Sequence, residues 1–202
     1  MIRVPERVVI GTKNPDKHDE MLSVLVAALP GLQVIDGEWP DVEETGATLA
    51  ENAVLKARAV LAATGHAAIA DDTGLEVEAL GGRPGVHTAR FAGPHATYAQ
   101  NRQRMLADLE GVADRSARFR TVVALVGPGR DDIVVEGVLE GRIAEAERGE
   151  FGFGYDSIFE VDGRTLAEIP EAEKNRISHR ANALQALVAV LADPDPGRRP
   201  RH

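Results

Sequence analysis

"ARFRTVVALVGPGRDDIVVEGVLEGRI", residues 117–143, decides the fold. Two runs rich in valine, leucine and isoleucine, 117–127 and 132–143, flank Pro128-Gly129. That arrangement reads as two strands folded back on each other by a turn, hence an antiparallel pair. Upstream of it the pattern is different. "ERVVIGT" (6–12) is a short apolar strand, and "KNPDKHDEMLSVLVAALPG" (13–31) repeats Leu22, Leu25, Val26 and Leu29 at helical spacing until Pro30-Gly31 stops it. "LQVID" (32–36) is a second short strand. In "ETGATLAENAVLKARAVLAATG" (44–65), Thr48 and Glu51 form a capping box, Ala50, Ala53, Val54, Ala57 and Leu61 make an apolar stripe, and Gly65 ends the helix. "AAIA" (67–70) is a third strand, expected to end at Asp71-Asp72, where a Gly/Pro-rich loop begins.

Downstream, a helix near 97–110 opens at Thr97, "GEFGFGYDSIFEV" (149–161) is a glycine-broken loop entering a strand, and "SHRANALQALVAVLA" (178–192) is a last helix capped by Ser178. Alternating strands and helices followed by a hairpin imply an α/β domain with a mixed sheet. Residues 1–192 form that single domain, and the tail "DPDPGRRPRH" (193–202) is expected to be disordered, since it has nothing to bury.

Bulk properties narrow the function classes. With 202 residues, 44% hydrophobic and 27% charged, the chain can bury one substantial core. A net charge of −9 argues against binding a nucleic-acid polymer, whose affinity rests on neutralising phosphates with Lys and Arg. The absence of cysteine excludes disulfides, thiolate catalysis and cysteine-zinc sites. No uninterrupted apolar run reaches membrane-spanning length, and the N-terminus has no signal-like apolar core, so a cytoplasmic location is expected.

Several constellations carry chemistry. In "GTKNPDK" (11–17) a strand ends and a helix opens beside Lys17, an arrangement that attracts phosphate, although it also suits an ordinary strand–turn–helix junction. Asn52 and Lys56 are four apart and share a helix face. The doublets Glu43-Glu44 and Asp71-Asp72 offer the oxygen ligands that a hard cation such as Mg²⁺ takes together with water and phosphate. "GFGYD" (152–156) sets Phe153 and Tyr155 to stack on a base and Asp156 to accept from ring N–H groups. "EKNRISHR" (173–180) gathers Lys174, Arg176, His179 and Arg180 at a helix start, a second place for an anion. Each has a bland structural reading alone. In conjunction they make the parts of a Mg²⁺–nucleotide site.

In order, "TKNPDK", "EETGATLAENAVLKA", "AIADDTGLEVEALGGRPGVHTARFAG", "FGFGYDSIF" and "EKNRISHR" resemble the Ham1/ITPase family of non-canonical purine nucleoside triphosphate pyrophosphatases, over residues 8–190. The resemblance implies an elongated α/β fold with a central mixed sheet, two lobes around a cleft, and a homodimer. It also implies Mg²⁺-dependent hydrolysis of ITP, dITP and XTP to monophosphate and pyrophosphate. Carried over by position, Thr12, Lys13, Asn14, Pro15, Asp16 and Lys17 form the triphosphate loop, and Lys56 reaches the phosphates. Asp72 is general base and metal ligand, Glu44 and Asp71 complete the metal set with Glu43 a weaker candidate, and Thr73 stands where serine is frequent. Phe153, Gly154, Tyr155 and Asp156 recognise the base, while Lys174, His179 and Arg180 contact the purine end. Lys13 and Ser157 depart mildly from the family pattern. Two rivals remain: a nucleotide phosphohydrolase of other base specificity, and a non-catalytic purine nucleotide sensor.

Overall fold

The hairpin over 117–143 forms, and everything else is arranged on the sheet it belongs to. The computed structural model describes residues 4–192, so the expectation for the tail at 193–202 lies outside the described residues. In chain order the elements are β1 (Arg7–Ile10), α1 (Pro15–Ala28), β2 (Gln33–Val34), α2 (Leu49–Thr64), β3 (Ala67–Val77), β4 (Pro84–Gly85), α3 (Tyr98–Asp108), β5 (Ser116–Val126), β6 (Ile133–Ile143), β7 (Phe159–Val161), β8 (Arg164–Thr165), α4 (Glu171–Ile177) and α5 (His179–Ala192). The sheet runs β2-β1-β3-β5-β6-β7-β8, with β4 paired to β3. Strands β2, β1 and β3 are mutually parallel, while β5 lies antiparallel to both β3 and β6. The sheet is therefore mixed, as the early alternation and late hairpin imply.

The long strand β3 is the element the sequence understates. It does not stop at the aspartates but runs through them, pairing Asp71 with Val123 and Asp72 with Val122 of β5. Strand side chains alternate between faces. Thus Ile69 joins the core under α1 and α5 with Val8, Met21, Leu125 and Leu184, whereas Ala68 and Ala70 join the core under α2 with Ala53, Ala57 and Val122. Asp71 and Asp72 consequently enter opposite layers of the domain. A third core, around Leu75, Met105, Phe119, Ile158 and Phe159, fills the far lobe. The parallel partner β1 pairs only as far as Ile69, and β4 takes up the same edge at Leu75. Between those points β3 has no strand partner on that side, and the cleft opens there.

The helix faces follow the sequence reading in part. In α1 the buried positions are Glu20, Met21 and Leu25, and Val26 is half exposed. In α2 the capping box of Thr48 and Glu51 is present, but Leu49, Asn52, Ala53, Ala57 and Val60 are buried, with Ala50, Val54 and Leu61 at the rim. Leu25, Ala53 and Ala57 are buried as the apolar spacing implies, while the polar Glu20 and Asn52, which hydrophobic spacing does not select, share the buried faces. Helix α4 is a separate element that the sequence reading merged into the approach to α5. Its break at Ser178 serves both helices: the Ser178 N–H donates to the Lys174 carbonyl, and its hydroxyl accepts from the Ala181 N–H. Helix α5 then crosses β6 so closely that a Cβ on Gly137 would lie 2.2 Å from the Ala183 nitrogen and 2.3 Å from the His179 oxygen. Only glycine fits that crossing, and it brings His179 and Arg180 down onto the sheet beside Thr121 and Asp71.

Candidate active site

The cleft begins where β1 ends. Gly11 donates to the Ile69 carbonyl, and the chain then turns through Thr12, Lys13 and Asn14 into α1. Asn14 caps the helix, its Oδ1 accepting from the N–H groups of Asp16 and Lys17 at 2.9 and 3.3 Å. Those two helix-start donors are thus occupied by the cap, and the positive charge of the loop comes from side chains. Pro15 supplies the first helical residue. Thr12, Lys13, Asn14 and Lys17 line a concavity with Trp39, Asp41, Glu44 and Lys56. Asp16 lies outside it, against Asp19, Glu20 and Phe151.

This concavity continues into a deeper cleft of about 780 Å³, mouth included, which contains Lys17, Glu44, Asp72, Thr73, Phe153, Gly154, Tyr155, Asp156, Lys174, His179 and Arg180. Lys17 and Arg180 lie 163 positions apart in a chain of 202 residues, yet they share one trough. Glu43 is exposed and is not among its lining residues.

At the α2 side, Lys56 Nζ lies 2.9 Å from both Asp72 Oδ1 and Glu44 Oε1, and Asn52 Nδ2 donates to Asp72 Oδ2 at 3.2 Å. Asn52 and Lys56 do share a face, and both reach Asp72. Burial pushes the Asp72 carboxyl upward despite the neighbouring Lys56. Burial alone would lower Lys56, but Asp72, Asp71 and Glu44 outweigh it and raise that ammonium.

At the α1–α5 side, Asp71 is a counter-ion. Its Oδ2 accepts from Lys17 Nζ at 3.1 Å, from Arg180 Nε and Nη2 at 3.2 Å each, and from Thr73 Oγ1 at 3.1 Å. Burial would raise its carboxyl, yet Lys17, Arg180 and Lys56 hold it well below the ordinary range. Lys17 itself is lowered, by burial and by the nearby Arg180 and Lys56, and so would gain from an added anion. Arg180 also binds Glu20, which in turn pairs with Lys174 at 2.6 Å, and Lys174 pairs with Asp156 at 2.6 Å. Lys174 and Arg180 of the 173–180 run are therefore paired with Glu20, Asp156 and Asp71, while Arg176 is exposed.

The aromatic roles divide. Tyr155 is buried in the far-lobe core, and its hydroxyl donates to the Thr88 carbonyl at 2.9 Å, which fixes the loop rather than leaving the ring free to stack. Phe153 borders the cleft with Lys174 Nζ 4.9 Å from its centroid and the Tyr98 ring 6.1 Å away. Asp156 Oδ2 is held by the Phe153 N–H at 3.0 Å and by Lys174. Burial pushes its carboxyl upward against the pull of Lys174. Residues the sequence reading missed include Tyr98, whose hydroxyl accepts from Asn14 Nδ2 at 2.7 Å, and Thr121 and Glu20. No local pattern announces these: Tyr98 lines the trough from α3, and Thr121 and Glu20 lie behind it, bonded to His179 and to Lys174 and Arg180.

The chain as a whole matches known proteins in sequence and in fold. The family model of the Ham1 family covers residues 8–190. A dITP/XTP pyrophosphatase of Bacillus licheniformis is 46% identical over 192 residues, spanning 92% of this chain and 98% of that protein. One from Geobacillus kaustophilus is 49% identical over 190 residues, spanning 90% and 92%. Among solved structures, the Ham1 protein of Staphylococcus aureus is 39% identical with a TM-score of 0.80, covering 92% of this chain and 97% of its own. A HAM1 protein from Coxiella burnetii is 43% identical with a TM-score of 0.82, covering 92% and 98%. With sequence and fold agreeing over nearly the whole length of both partners, this chain belongs to the Ham1 family.

Proposed function

We propose that this protein hydrolyses non-canonical purine nucleoside triphosphates (dITP, XTP and ITP) to the monophosphate and pyrophosphate. The observation that carries the reading is the continuity of the trough. Lysines and a raised-pKa carboxylate, Asp72, occupy one end, an aromatic and polar pocket occupies the other, and relatives at 46 and 49% identity are dITP/XTP pyrophosphatases.

Lys17 and Lys56 neutralise phosphate charge and hold the chain of phosphates in register. Asp72 accepts a proton from the attacking water as a new P–O bond forms and the anhydride P–O bond breaks, releasing pyrophosphate. Asn52 holds Asp72 in place, and burial makes that carboxylate a stronger base than an exposed one. Phe153 and Tyr98 offer faces for the purine, and Asp156, Lys174 and His179 offer polar groups.

Magnesium fits the α2 side of the trough. Glu44 and Asp72 converge on one Lys56 ammonium, so two carboxylates already share a cation position. Among the described residues no cluster of three or more acidic or histidine side chains is built to hold a metal, so phosphate and water would supply the remaining ligands, which is the usual habit of Mg²⁺. Bound there, the ion would offset phosphate charge and polarise the phosphoryl group. Asp71 faces the opposite layer and serves Lys17 and Arg180 instead.

The deciding experiment is product analysis over a panel of triphosphates with Mg²⁺ and again with EDTA. ITP and XTP should be cleaved far faster than ATP and GTP, with pyrophosphate as co-product, and EDTA should abolish turnover. Comparable rates on ATP would point to another base specificity, and binding without turnover to a sensor. We also propose a cytoplasmic homodimer. No helix among the described residues is long and apolar enough to cross a membrane. Small-angle scattering at micromolar concentration should give twice the chain mass of 21.6 kDa, and a monomer would contradict the dimer.

A further inference from the structure

Beyond the ion pairs, one line of hydroxyls runs across the sheet between the two ends of the trough. Thr73 Oγ1 lies 3.1 Å from Asp71 Oδ2, Thr121 Oγ1 lies 2.8 Å from Thr73 Oγ1, and His179 Nδ1 lies 2.6 Å from Thr121 Oγ1. Thr73 and Thr121 are directly opposed on β3 and β5, so the register itself brings the hydroxyls together. Thr121 is fully buried and His179 nearly so. The function proposed above gives Thr121 no role.

The direction of these bonds follows from their first member. Asp71 Oδ2 already accepts from Lys17 and Arg180, so it is an acceptor and Thr73 spends its one proton on it. Arg180 Nη2, 3.4 Å from Thr73 Oγ1, donates to the same hydroxyl and favours that direction. Thr73 must then accept from Thr121, and Thr121, its own proton spent, must accept from His179 Nδ1–H.

We infer that Thr121 is a positioning residue that locks His179 in the Nδ1–H tautomer, leaving Nε2 as a bare acceptor for the ring N1–H of a 6-oxopurine. The base half of this inference rests on the function proposed above. Burial and the nearby Arg180 and Lys174 keep the imidazole neutral, so Nε2 carries a lone pair and not a proton. The Phe119 ring, tilted at 4.5 Å from the imidazole centroid, fixes the plane of the ring. Hypoxanthine and xanthine bear N1–H, whereas adenine bears a lone pair there and would meet an acceptor with an acceptor. Selectivity against adenine is thereby tied to a carboxylate at the phosphate end.

The test is a long-range ¹H–¹⁵N spectrum of histidine-labelled protein without nucleotide, with the His179 signals assigned through His179→Gln. The expected spectrum shows Nδ1 protonated and Nε2 unprotonated. Thr121→Val should abolish that pattern and narrow the ratio of kcat/KM for ITP over ATP by about tenfold, the worth of one such hydrogen bond, while Thr121→Ser should restore both. A wild-type Nε2–H tautomer or imidazolium overturns the proposal even if Thr121→Val fails to fold. An unchanged selectivity in folded Thr121→Val also overturns it. Wild-type enzyme with no preference for ITP would overturn the base half together with the proposed function, and the tautomer spectrum would distinguish that failure from a failure of the relay.

Discussion

Replacing Asp72 by Asn is expected to lower kcat by about 10²–10⁴, the range that a positioned general base contributes. The substitution keeps the size of the side chain and an oxygen for Asn52 Nδ2, 3.2 Å away in the native protein. Lys56 also retains Glu44 at 2.9 Å, so no buried cation is stranded. Circular dichroism and the denaturation midpoint should accordingly stay near wild type while turnover of ITP collapses. A rate within a few-fold of wild type would remove Asp72 from the chemistry and leave it only as a partner of Lys56.

Arg180→Ala is expected to act on stability before anything else. Its guanidinium is buried between Asp71 and Glu20, which are themselves buried. Lys17 would remain for Asp71 and Lys174 for Glu20, but each acid would lose its bridging partner. Breaking a buried pair by removing one partner costs about 3–5 kcal/mol, chiefly from the uncompensated charge left behind. Urea unfolding measured against wild type reads this directly. A loss below about 1 kcal/mol would mean that Asp71 and Glu20 find other partners, and that the buried arginine is dispensable for folding.

That second expectation departs from the sequence reading, which gave Arg180 to the purine. The difference shows what a sequence can carry. The hairpin, the capping box at Thr48 and the strand–turn–helix junction at 11–17 are local patterns, legible because their partners are near in sequence. Lys56 was legible too, since Asn52 four residues earlier marks the same helix face. What was hidden are pairings across layers. Glu20 meets Arg180 across 160 positions, and Lys174 meets Asp156 only because α4 folds back over the loop. Charge runs such as 173–180 give no sign of which acids will neutralise them. Strand β3 was shortened for a related reason: two adjacent aspartates look like the end of a buried strand unless Lys17, Arg180 and Lys56 are known to wait on its two faces.

The placement of Asp71 and Asp72 on opposite faces of one continuous strand constrains how this gene can vary in length. A single residue inserted between Ile69 and Asp71 would rotate every later side chain to the other face. The acid that serves Lys56 would then arrive among Lys17 and Arg180, and Thr73 would turn away from Thr121. Substitution at Ala68 or Ala70 alters packing at one position, whereas a one-codon insertion exchanges the layers of Asp71 and Asp72 at a stroke. Viable insertions should therefore collect in the β5–β6 turn at 127–132, where the chain crosses no layer and a longer loop leaves the register of β3 untouched.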